Sequence, residues 1–323
     1  MSRRPALPLL VAALLSTSLT ACAARPAAAD HPMSDPQRAL LVIHGGAGVT
    51  RASLGPGEEA EAREALKAAL LAGHAKLRVG GTALDGVTAA IQVLEDAPQF
   101  NAGRGAVFTH EGRNELDASI MDGASGRAGA VAGVQRTRNP IRLARTVMEQ
   151  SSHVMLVGQG AEDFGALFGI ERVDPSYFRT EKRWQQLQRA LQAEQERKTG
   201  AGDGPDLRYF GTVGALALDA EGHLAAGTST GGMSNKRWNR VGDSPVIGAG
   251  TWADAQCAVS GTGWGEFYIR SAAAHEICAR VRLAGQSVGE AAHAVIDVEI
   301  PAAGGDGGAI ALGADGSIAF PFN

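Results

Sequence analysis

Helices and strands come in blocks along this chain, and the order of the blocks restricts the fold more than any single motif. An apolar run from Ala39 to Ile43, bounded by His44-Gly45-Gly46-Ala47-Gly48, reads as a buried strand ending in a glycine turn. Two helical patterns follow, Glu58 to Val79 and Ala83 to Glu95; Thr82 and Asp85 have capping-box spacing, and Pro98 stops the second helix. Residues 99–134 then break into Gly-punctuated pieces, with strands at Glu115 to Met121 and Gly129 to Val134. Asn139-Pro140 opens a helix running to Gln150, followed by a strand, His153 to Val157, and a short helix, Gln159 to Phe168. In the second half, strands are expected at Thr212 to Leu218, His223 to Gly227, Pro245 to Ala249 and Gln256 to Ser260. Helical patterns at Glu266 to Leu283 and Ser287 to Ile300 cover them, and a hairpin turned at Ala314-Asp315-Gly316 closes the chain. Such blocks predict an α+β fold of sheets covered by helices, not a regular βαβ alternation.

The 323 residues carry a formal net charge of −4, with Lys and Arg scattered along the chain, so no basic field marks nucleic acid as a partner. Arg3 and Arg4 precede an apolar run, Leu7 to Leu15, too short to span a membrane but suited to a signal h-region, so residues 1–21 read as a signal peptide. Leu19-Thr20-Ala21-Cys22 resembles a bacterial lipobox, which makes Cys22 a lipidation site and the only membrane attachment. An ordinary secretory signal cut near Ala24 or Ala29 would instead discard it. Residues 22–38, rich in Ala, Pro and Asp, read as a flexible tether, and the expected location is the cell envelope or periplasm. Two further cysteines, Cys257 and Cys278, allow one bridge; Cys278 lies in an apolar helical pattern, where a buried free thiol is the expected state.

From Pro175 to Gly211 the chain turns polar and charged, then Gly-rich, and reads as an exposed linker with a mobile end. It stops at Gly211-Thr212, where an apolar strand begins. A threonine hydroxyl is a poor nucleophile without a base beside it, and a peptide cut before the residue supplies one, its own α-amine, of pKa about 8. Gly211 tolerates the strained geometry such a cut needs. Gly-Thr also occurs at Gly81-Thr82, Gly227-Thr228, Gly250-Thr251 and Gly261-Thr262, but only Thr212 follows a loose linker and opens a strand.

Five segments, LVIHGGAG, NAGRGAVFTHEGRNELDASIMDG, GTVGALALD, GTSTGGMSNKRWNRVGDSPVIGAGTWAD and SGTGWGEFYIR, together resemble the plant-type L-asparaginase or isoaspartyl peptidase family of N-terminal nucleophile hydrolases. The resemblance implies a four-layer αββα sandwich cut at Gly211-Thr212 into an α subunit (39–211) and a β subunit (212–323). It implies Thr212 as nucleophile and its α-amine as base, with Thr230 hydrogen-bonded to the nucleophile. Arg240 and Asp243, with Val241 and Gly242 between them, match the substrate-binding run. A guanidinium fork would grip the α-carboxylate and a carboxylate the α-ammonium; spacing alone would equally allow an Arg240–Asp243 salt bridge.

Thr262 and Gly263 match oxyanion-stabilising positions, and Gly265 a substrate-contacting backbone. Trp264 stands where the family pattern usually has threonine, which puts pocket shape in question. Asn101 matches an active-site asparagine, although a turn residue fits the spacing equally well. The loop containing Leu94, Glu95, Ala97, Phe100, Ala102 and Arg104 matches one whose backbone carbonyls hold sodium. No organic cofactor is implied, and the eight histidines show no zinc spacing. The implied reaction is hydrolysis of β-aspartyl amides, isoaspartyl dipeptides first and L-asparagine second, by an (αβ)2 assembly. Rival readings are a glycosyl-asparaginase of the same fold and a non-catalytic envelope lipoprotein that binds amino acids or peptides.

Overall fold

Large and small apolar residues alternate along the first strand of the second half, and both faces of that strand are buried. A computed structural model describes residues 39–48, 54–198 and 211–323. Strand β1 (Leu40–His44) is followed by helices α1 (Glu58–Arg78) and α2 (Ala83–Asp96), then β2 (Leu116–Asp122) and β3 (Ala128–Val134). Next come α3 (Pro140–Gln150), β4 (Met155–Val157), α4 (Gly158–Leu167) and α5 (Glu181–Lys198). The second half contains β5 (Val213–Leu218), β6 (Leu224–Thr230), β7 (Thr251–Ala253), β8 (Cys257–Gly263), α6 (Gly265–Ser271), α7 (Ala273–Ala284), α8 (Val288–His293), α9 (Ile300–Ala302), β9 (Gly307–Gly313) and β10 (Ile318–Ala319).

The strands form two sheets, one ordered β1-β5-β6-β2-β3-β4 and the other β10-β9-β8-β7. In β5, Leu216 and Leu218 enter a core with Leu224, Ala258, Ile310 and Leu312, where the sheets meet. Ala215 and Ala217 face the opposite way, into a core with Val87 and Ile91 of α2. Burial on both faces is why such strands read as continuous apolar runs. The covering helices come very close. A Cβ at Gly227 would lie 2.7 Å from Val87, and one at Gly129 would lie 2.0 Å from the Ala144 carbonyl of α3. On the second sheet, Ile277, Cys278, Ala291, Ala292 and Val295 pack over Val259 and Ala311. Among the described residues no helix is long and apolar enough to cross a membrane.

Several expectations change. The predicted strand Pro245 to Ala249 is a series of turns, and the short β7 follows it. The helix expected from Glu266 to Leu283 breaks at Ala272, whose φ of 48° is left-handed and separates α6 from α7. The exposed linker expected over 175–211 is described as far as Lys198, and that part is packed. There α5 buries Arg183, Leu187 and Ala190 at helical spacing, and Arg183 Nε donates to the Gly105 carbonyl at 2.8 Å. Residues 199–210, like the signal, tether and Cys22 expectations, lie outside the described residues.

The two cysteines are bonded rather than free, with Cα atoms 5.4 Å apart, and the bridge ties β8 to α7. Closing a loop with a sequence separation of 21 is worth about 3 kcal/mol in the chain-entropy account. Thermal unfolding with and without reductant checks this: reduction, or Cys257→Ser with Cys278→Ser, is expected to lower the midpoint, and an unchanged midpoint would exclude a contribution from the bridge.

Candidate active site

Strand register explains how two threonines meet. Val213 faces Ser229 and Gly214 faces Thr228 across the β5–β6 ladder, so one further step sets Thr212 opposite Thr230. Thr212 Oγ1 lies 3.1 Å from Thr230 Oγ1, and both residues are buried. The Gly232 amide donates to the Thr230 hydroxyl at 3.0 Å, fixing its rotamer. The glycine turn after β1 covers the Gly211-Thr212 bond. A Cβ on Gly46, which has φ 108°, would lie 2.5 Å from Gly211 Cα and 2.9 Å from Thr212 N, so only glycine fits. Ala47 N donates to Thr262 Oγ1 at 2.9 Å, bringing the end of β8 to the same turn.

Thr212, Thr230, Gly232, Arg240, Gly242, Asp243, Ser244 and Gly263 line one small cavity. A larger groove between α1, α2 and α3 lies elsewhere, and its Arg145 is paired with Asp85 and Glu149. Arg240 does not pair with Asp243. Its Nε and Nη2 each donate to Glu266 at 2.9 Å, one to each carboxylate oxygen. That contact uses the side fork of the guanidinium and leaves the end fork, Nη1 and Nη2, for another anion.

Gly242 and Gly265 keep that end clear. A Cβ on Gly242 would lie 2.8 Å from Nη1, and one on Gly265 would lie 2.9 Å from Nη2 and 2.7 Å from Asp243 Oδ1. Asp243 is buried, and its Oδ2 has no hydrogen-bond partner. Burial pushes its carboxyl up to about 6, with Arg240 opposing and the carboxylates of Glu266 and Asp117 adding to the rise. A guanidinium fork beside an unpartnered carboxylate fits a zwitterionic α-amino acid end.

Asn101 stands behind the threonines. Its Nδ2 donates to the Gly232 carbonyl at 2.7 Å and its Oδ1 accepts from Val107 N at 2.9 Å, while its carbonyl accepts from Gly231 N at 3.1 Å. The contacts with Gly232 and Gly231 brace the turn after Thr230, and the one with Val107 closes the loop that carries Asn101. Glu95 braces the preceding residue, accepting from Ser229 Oγ at 2.7 Å and Ile141 N at 2.9 Å. Burial pushes its carboxyl up to about 8 against those hydrogen bonds, which favours its neutral form.

The Leu94, Ala97 and Ala102 carbonyls accept backbone N–H groups within their loop. Gly103, with φ 49°, folds the loop so closely that a Cβ would sit 2.3 Å from the Glu95 carbonyl; a Cβ on Gly105 would sit 1.9 Å from that of Phe100. Arg104 is exposed. Among the described residues no group of three or more His, Cys, Asp or Glu is arranged to hold a metal ion.

Trp264 turns its ring onto Phe267, centroids 4.8 Å apart, and donates its backbone N–H to the Asp306 carbonyl. Trp264 and the exposed Val241 lie outside the cavity lining. Sequence reasoning missed Glu266, although it directly follows Gly265 in a quoted segment, because its signal lies in tertiary pairing with Arg240, which spacing does not carry.

Comparison with known proteins agrees with this geometry. A family model described as Asparaginase matches residues 37–323. The isoaspartyl peptidase of Escherichia coli (strain K12) is 49% identical over 292 residues, covering 88% of this chain and 90% of the relative. The plant-type L-asparaginase of Pyrococcus abyssi is 42% identical over 291 residues, 88% of this chain and 92% of the relative. The isoaspartyl peptidase/L-asparaginase of Rattus norvegicus is 40% identical over 278 residues, 86% of this chain and 81% of the relative. With the family match spanning every described residue and the paired threonines beside an arginine fork, this chain belongs to the asparaginase family.

Proposed function

We propose that this protein is an isoaspartyl peptidase and L-asparaginase that hydrolyses β-aspartyl amides through a threonine freed by self-cleavage. The observation that carries the reading is the 3.1 Å contact between Thr212 and Thr230 hydroxyls in a cavity shared with Arg240 and Asp243. In the processing step, Thr212 Oγ1 attacks the Gly211 carbonyl carbon, the C–N bond breaks, and the amide nitrogen leaves as the Thr212 α-amine. Water then hydrolyses the Gly211 ester. The cut gives an α subunit ending at Gly211 and a β subunit starting at Thr212, held in one αββα sandwich.

In turnover, Arg240 binds the substrate α-carboxylate and Asp243 the α-ammonium, with Gly242 and Gly265 keeping the space between them clear. The α-amine takes the Thr212 hydroxyl proton as Oγ1 attacks the side-chain carbonyl. Thr262 Oγ1 and Gly263 N stabilise the oxyanion, and Thr230 holds the nucleophile. The amine or ammonia leaves with the proton, and water then releases L-aspartate from the threonyl ester. No organic cofactor takes part. A sodium ion held by backbone carbonyls would sit in the loop carrying Leu94, Glu95, Ala97, Phe100, Ala102 and Arg104, where the fold at Gly103 brings the chain close to the Glu95 carbonyl; its contribution would be to fix the loop bearing Asn101. The assembly is (αβ)2, and export with lipidation at Cys22 would place it at the cell envelope.

Assaying L-aspartate release from β-Asp-Leu, L-asparagine and an N-glycosyl asparagine side by side tests the function. β-Asp-Leu is expected to be the best substrate, and release from the glycosylated compound alone would overturn the reading. The pH dependence follows from Asp243. Its carboxyl is pushed up to about 6, so it is anionic above that pH and loses its charge below it. KM is expected to rise about tenfold per pH unit below pH 6, because only the carboxylate attracts the ammonium. A KM constant down to pH 4 would remove Asp243 from that role.

A further inference from the structure

We propose that Glu194 of α5 is a positioning residue for Arg240, gripping Arg237 and Asn235 and so setting the loop that carries the guanidinium fork. Substrate affinity then depends on a helix from the other side of the Gly211-Thr212 bond. The proposal rests on the reading of Arg240 as the carboxylate-binding residue and adds a residue to it. Arg237 Nη2 donates to both Glu194 carboxylate oxygens, at 2.8 and 2.7 Å, and Asn235 Nδ2 donates to one of them at 3.4 Å. Arg237 reaches Arg240 through the main chain. Its carbonyl accepts from Arg240 N at 3.0 Å, closing a turn over Trp238 and Asn239.

That turn needs support from outside. Asn235, Trp238 and Asn239 have φ of 62°, 55° and 57°. Asparagine tolerates this left-handed region, but tryptophan is an outlier there, and such a conformation persists only where surrounding contacts impose it. Trp238 is 89% exposed, so packing of its own ring does not supply them. Tertiary contacts instead fall on the residues just before it. Asn235 N donates to the Phe108 carbonyl at 2.9 Å, His110 N donates to the Lys236 carbonyl at 2.8 Å, and Asn235 Oδ1 lies 2.8 Å from His110 Nδ1. The buried Lys236 Nζ donates to the Glu115 carbonyl at 3.1 Å. Glu194 completes the set by holding Arg237, whose carbonyl holds Arg240.

Glu194 is itself firmly placed. α5 buries Leu187 and Ala190, and Glu194 lies one turn past Ala190 on the same helix face. Lys198 Nζ is 2.8 Å from Glu194 Oε1. Hydrogen bonds from Lys198 and Arg237 hold the Glu194 carboxyl down to about 2, so it stays anionic over the range in which Asp243 titrates. The Arg237 and Glu194 side chains are only 28% and 24% exposed, which reduces screening of the pair by solvent and salt. Two carboxylates thus divide the placement of Arg240: Glu266 orients its guanidinium, and Glu194 sets its main chain.

The experiment measures kcat and KM for β-Asp-Leu, and the fraction cut at Gly211-Thr212, in Glu194→Ala, Arg237→Ala, the double variant and Lys198→Ala. Glu194→Ala and Arg237→Ala are each expected to raise KM about fivefold, with kcat within about twofold and cutting unchanged. The double variant should be no worse than either single one, because both remove the same contact. Lys198→Ala, which takes from Glu194 a partner outside the loop, should keep the wild-type KM. If Glu194→Ala does not fold, Glu194→Gln, which keeps the shape and loses the charge, decides. Wild-type KM in the folded Glu194 variant overturns the proposal. So do single effects that multiply in the double variant, or a loss of kcat as large as the rise in KM. Arg240→Lys measured alongside separates the two readings: wild-type KM there overturns the fork itself, whereas wild-type KM in Glu194→Ala alone overturns only this inference.

Discussion

Thr212→Ala protein is expected to run as one uncut chain and to lose activity by about a thousandfold or more, since the residue supplies both nucleophile and base. The fold should survive. The substitution removes a methyl and a hydroxyl whose hydrogen-bonding partner is the Thr230 hydroxyl, a change worth about 1–2 kcal/mol. Thr212→Ser keeps an oxygen at the same place and should still be cut, though more slowly, because serine lacks the methyl that restricts χ1. Gel electrophoresis and an L-aspartate assay check both variants. An alanine variant with wild-type turnover would remove Thr212 from the chemistry.

Arg240→Lys carries the second large effect. Lysine preserves the charge but not the planar fork, so it cannot satisfy Glu266 with two parallel hydrogen bonds and still present two donors to a ligand carboxylate. Glu266 accepts from both Nε and Nη2 of Arg240 at 2.9 Å, and with lysine its carboxylate would be left partly unpaired beside the cavity. KM is expected to rise about 10- to 100-fold, the range for losing a charge-assisted hydrogen bond. Self-cleavage should be unaffected, because the Gly211-Thr212 bond needs no ligand carboxylate. Steady-state kinetics on cut protein measures this, and an unchanged KM would contradict the assigned fork.

Much of this was legible in the sequence because local chemistry sets it. The Thr82–Asp85 capping box forms in both directions, and the apolar alternation in β5 determined its faces. Failures came where distant partners decide. Turns between Pro245 and Ala249 look like a strand, but Val246 N and Gly250 N both donate to the Asp243 carbonyl, curling the segment to deliver Asp243 to the cavity. The break at Ala272 has no glycine or proline to announce it. Cys257 and Cys278 sit in a strand and a helix that only tertiary packing brings together. The site residues were named from a family pattern; Glu266 was missed because its contact with Arg240 is tertiary and leaves no spacing in the chain.

The central claim is that Thr212 becomes a chain terminus. Intact-mass measurement of the purified wild-type protein tests it directly. The account predicts two species, one ending at Gly211 and one of 112 residues, from Thr212 to Asn323 (323 − 211 = 112), with a free N-terminal threonine. A single uncut mass in protein that releases L-aspartate from β-Asp-Leu would contradict it.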